Sequence, residues 1–102
     1  MLVVNTENAG REYTPIYMVT GAYIMSKNAL KDIGSEFRNI IGGKMNAYTQ
    51  MLNEAKNGAV EEMIREAERL DADAIVNVRF SSSSIVQGGA EILACGTAVK
   101  FN

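Results

Sequence analysis

The side chains able to do chemistry are few and widely separated. Cys95 is the only soft ligand, and histidine is absent. That absence removes the commonest metal ligand and the commonest general base near neutral pH. A tetrahedral zinc or copper site wants several Cys or His donors, so one chain falls short of a metal site. Fivefold symmetry could gather five Cys95 side chains on an axis. Strand counting instead places Cys95 on a core face with Phe101, Val99 and Leu93, as a small buried hydrophobe. Asp71 and Asp73, and Glu62 and Glu66 at four-residue helical spacing, could attract a hard cation. Neither pair has the loop spacing of a calcium site, and both read as solvated charge. Glu91 falls opposite Val86, at an exposed rim.

Nucleophilic chemistry lacks its partners as well. Ser81–Ser84 have no histidine to activate them and no Ser-x-x-Lys string occurs; Thr97 and Lys100 sit three apart on a strand and so face opposite sides. Gly42-Gly43-Lys44 is not a phosphate loop, because Arg38 occupies the first glycine position and Met45 the hydroxyl position; the glycines read as a helix stop. Tyr13, Tyr17, Tyr23 and Tyr48 could stack on a flat ligand, but read as core or interface packing. No catalytic residue is assigned. The one route to an enzyme is an intersubunit site built from Arg79, Lys100, Asn77 and Glu91.

The elements that must position these residues belong to one small domain. With 102 residues, 47% hydrophobic and 22% charged, the chain has the composition of a globular protein. A domain of this size buries only ~60–65% of its unfolded surface, so a partner subunit would help it considerably. The net charge of -2 argues against a nucleic-acid footprint. No signal sequence and no apolar stretch long enough for a membrane span is read, so the expectation is a cytoplasmic protein without a membrane partner. A lone cysteine in a reducing compartment agrees with this.

Leu2-Val3-Val4 reads as a short edge strand, and Ile16–Met25 as a strand preceded by Pro15. Ser26 or Asn28 can cap a helix from about Ala29 to Ile41. Met45, Tyr48, Leu52, Ala55, Ala59, Met63, Ala67 and Leu70 then form the stripe of a long amphipathic helix, with Val60 and Ile64 widening it and Gly58 marking a bend or a close approach. Glu61 and Arg65 are spaced as a helical ion pair. Ala74–Val86 and Ala90–Phe101 read as a hairpin turning at Gly88-Gly89 with Gln87 opposite Ala90. In that register Val76, Val78 and Phe80 join Cys95, Thr97 and Val99 on the core face. Ala94, Gly96 and Ala98 then join Ile75 and Arg79 on a small-residue face suited to another subunit. The order predicts an α+β fold, helices on one face of a mainly antiparallel sheet.

Several strings resemble one family. Ile41-Gly42-Gly43-Lys44 leading into Ala47-Tyr48, then Asp71-Ala72-Asp73-Ala74-Ile75-Val76, then Gly96-Thr97-Ala98-Val99 are similar to the YbjQ-like family, small bacterial and archaeal proteins described as heavy-metal-binding. The resemblance implies one YbjQ-like domain over 1–102 with a dodecin-like subunit fold, and extra short strands that help assemble a homopentameric ring. It implies a metal ion as a candidate ligand and no established activity. Cys95 departs from the pattern, where a small or hydroxyl residue is expected, so no inherited ligand role attaches to it.

Overall fold

The computed structural model describes residues 1–25, 44–84 and 90–102. The expected helix at 29–41 and the Gly88-Gly89 turn lie outside the described residues. Strands β1 (Leu2–Val3), β2 (Tyr13–Met25), β3 (Ala74–Ser84) and β4 (Ala90–Phe101) form a sheet in the order β1-β3-β4-β2, and helix α1 spans Lys44–Arg69. β1 runs parallel to β3, whereas β4 is antiparallel to both its neighbours. The sheet is therefore mixed, with one long helix on it.

Strand β2 starts three residues earlier than expected and contains Pro15, with a register shift between Pro15 and Tyr17. A proline is tolerated there because β2 is an edge strand and a bulge needs no ladder donor at that position. The helix stripe behaves as its spacing dictates. Ala55, Ala59, Met63 and Ala67 are wholly buried, the last three in one cluster with Val19, Ile75, Ala94 and Ala98. Leu52 and Leu70, at the ends of the stripe, are 37% and 38% exposed. The Glu61–Arg65 pair forms at 3.7 Å on the solvent side. Helix α1 ends in a Schellman motif: Ala72 N–H donates to Ala67 O, Asp71 N–H donates to Glu68 O, and Asp71 takes φ 58°.

Gly58 marks a close approach. A Cβ there would lie 2.4 Å from Tyr23 Cδ2. Across the same contact a Cβ on Gly21 would lie 2.0 Å from Ala59 O, so β2 and α1 pack almost backbone to backbone.

The hairpin register differs from the expected one. Ser84, not Gln87, pairs with Ala90, and Val76, not Phe80, pairs with Thr97. The register shifts between Val76 and Arg79, where Asn77 adopts φ 55°. Asn77 and Val78 turn their N–H groups outward to Thr6 O and Val4 O, so the amino-terminal segment stabilises the bulge. The offset is three residues above the bulge, an odd shift that moves Phe80 to the face of Ala94, and four below it, which leaves Ile75 beside Ala98 as expected. Helix α1 packs on Ala94, Ala98 and Ile75, so the small-residue face is the one beneath the helix and not a free subunit contact. At Gly96 a Cβ would meet Ile75 Cγ2 at 2.7 Å, which explains why small residues line that face. Cys95 falls on the opposite face, half-buried and outside the core. At the lower end of that opposite face, Ala74, Val76 and Val99 form a second cluster covered by Val4, Ala9, Tyr13 and Phe101.

Candidate functional site

Cys95 stands in a cross-strand row with Arg79 on one side and Thr20 on the other. Arg79 does not turn to the thiol: its Nη1 donates to Asn5 O at 2.6 Å and Val78 O at 2.9 Å. Glu91 pairs with Ser83 and Ile24, not with Val86, and is four residues, roughly 13 Å, along β4 from Cys95. Among the described residues no three His, Cys, Asp or Glu side chains are grouped as a metal would need. A soft ion takes three or four S or N donors, so the donors described in one subunit do not fit a heavy metal.

The carboxylates the sequence singles out divide between two places. Lys100 Nζ lies 3.2 Å from Asp71 Oδ2 and 3.5 Å from Asp73 Oδ1, and it donates to Asp71 O at 2.9 Å. Asp73 Oδ2 also accepts the Phe101 N–H at 2.8 Å. That backbone hydrogen bond first, then Lys100, holds the Asp73 carboxyl below the usual carboxylate range. The Lys100 ammonium is pushed up, chiefly by its hydrogen bond to Asp71. This cluster ties the helix exit to the end of β4 while Asp71 stays 96% exposed, so the solvated charge expected of the pair also joins two elements. Glu66 reaches the outer edge of β2, where its Oε2 accepts the Thr20 N–H at 3.5 Å. Nine residues of β4, roughly 30 Å, separate Lys100 from Glu91, so within one chain the set Arg79, Lys100, Asn77 and Glu91 does not converge. Ser81, Ser82 and Ser83 are exposed on β3. Tyr13 donates its O–H to Glu7 O, Tyr17 is exposed, and Tyr23 packs on Gly58.

Among the described residues lies a concave feature that the sequence did not announce. Helix α1 lies over β2, β4 and the start of β3 and leaves β3 open around Phe80, creating a trough beside the helix. Its two adjoining parts measure about 570 and 390 Å³ and share Lys56 and Phe80. Val3, Val60 and Val78 line one part, and Leu52 and Ile92 line the other. The signal available beforehand was Val60, which widened the helix stripe; Phe80, assigned to the core, lies 48% exposed in the trough.

A family model with the description "Putative heavy-metal-binding" matches residues 1–102. The chain belongs to the YbjQ-like family. Among its relatives, a UPF0145 protein of Thermosipho africanus is 52% identical over 103 residues, covering 99% of this chain and 95% of that protein. One of Clostridium novyi is 45% identical, covering 99% of each. One of Methanosarcina acetivorans is 45% identical, covering 99% of this chain and 97% of its own. A crystal structure from Pediococcus pentosaceus, described as a DUF74-family protein of unknown function, superposes with a TM-score of 0.69 at 13% identity. It covers all of this YbjQ-like chain and 98% of its own. That likeness concerns the α+β fold, and no name among these relatives is that of an enzyme.

Proposed function

We propose that this protein is a non-enzymatic, cytoplasmic subunit that acts as a homo-oligomer, with any ligand held between subunits. The carrying observation is surface. The chain exposes 6787 Å², where a folded monomer of its mass exposes roughly 5,700 Å². The excess of roughly 1,100 Å² exceeds the ~800 Å² that each partner contributes to a standard interface. Its apolar part includes Tyr17, Met18 and Ile24, each more than 60% exposed. The resemblance supplies the number and the style of assembly, a dodecin-like pentameric ring; the surface argument supports association without choosing a symmetry. Native mass spectrometry of protein purified without added metal or chelator tests this. A fivefold mass is expected, and a monomer at micromolar concentration overturns the reading.

A metal-binding role is the second reading, favoured by the family's description. One subunit falls short in donors, so the role requires Cys95 from several copies to converge. Equilibrium dialysis against zinc, copper and nickel, with Cys95→Ser beside the wild type, tests it. No stoichiometric uptake overturns it.

A further inference from the structure

We draw no further inference here: the strongest candidate, the apolar trough beside α1 that Val60, Val78 and Phe80 line, carries none, because nothing in the structure shows what covers it.

Discussion

Gly21 and Gly58 occupy the same contact, yet their substitution by alanine should have different consequences. The added Cβ at Gly21 would strike backbone, Ala59 O at 2.0 Å and Met63 N at 2.5 Å, so α1 itself would have to move. A loss of about 3 kcal/mol is expected for G21A, the upper end of ordinary overpacking costs. At Gly58 the obstacle is the ring of Tyr23, which is 38% exposed and can swing outward. Alanine also gains about 1 kcal/mol of helix preference there, so G58A should change stability by less than about 1 kcal/mol. Urea midpoints of the two variants check the contrast. Gly58 was legible as a close approach because glycine is conspicuous in a helix; Gly21 was not, because nothing in a β-prone run says which carbonyl lies above it. Asp73 supplies a second prediction. Its carboxyl is held below the ordinary value by the Phe101 N–H, so its stabilisation is present above about pH 4 and is lost as pH falls through the lower folded value. Lys100 is raised by its hydrogen bond to Asp71, so its contribution is present below about pH 10 and is lost as pH rises through the folded value. D73A should therefore melt below the wild type at pH 7, and the gap should narrow as the solution is acidified below pH ~4.

The elements themselves were largely legible, and their register was not. The α1 stripe was readable because Ala55, Ala59, Met63 and Ala67 recur at one-turn spacing, and β3 and β4 because β-branched runs bracket a glycine pair. The register failed at Asn77, whose φ of 55° inserts a bulge no composition rule announces, and along Ser81–Ser84, which carry no apolar alternation to pin the pairing. That failure moved Phe80 from the face of Cys95 to that of Ala94, in the trough, whereas Cys95 left the core because the helix covers the small-residue face. The observed pairing can be tested chemically. Arg79 is directly opposite Cys95, and facing residues in an antiparallel pair have Cα atoms ~4.5–5.5 Å apart, within the span of a disulfide. Under mild oxidation R79C should form an intrachain disulfide with Cys95, detected as a 2 Da loss by intact mass (about two protons, one per thiol). S82C, opposite Cys95 in the two-residue-turn register, should not. The reverse result would restore that register.

At the scale of the whole molecule, the shape says most about how the protein exists. Its radius of gyration is 16.5 Å, against about 13 Å for a compact domain of this length. Among the described residues one helix covers one side of the sheet, and the largest fully buried side chains are Met63, Ile75, Val19, Val76 and Val99. Such a core leaves little margin over chain entropy, whereas the unpaired surface on β2 can contribute only when another molecule covers it. If assembly supplies that part of the stability, unfolding becomes linked to dissociation, and mass action makes the melting temperature depend on protein concentration. A tenfold dilution then removes about 1 kcal/mol per subunit, and about 1 kcal/mol shifts the melting temperature of a domain this size by roughly 4–8 °C. The melting temperature of the wild type should therefore fall by several degrees for each tenfold dilution. In an M18K/I24K chain it should be lower and independent of concentration, because charge then replaces the exposed apolar surface that association would cover. Differential scanning calorimetry over a dilution series of both proteins checks this. A wild-type melting temperature unchanged by dilution would mean that the elongated subunit is stable alone and that its apolar edge serves something other than self-association.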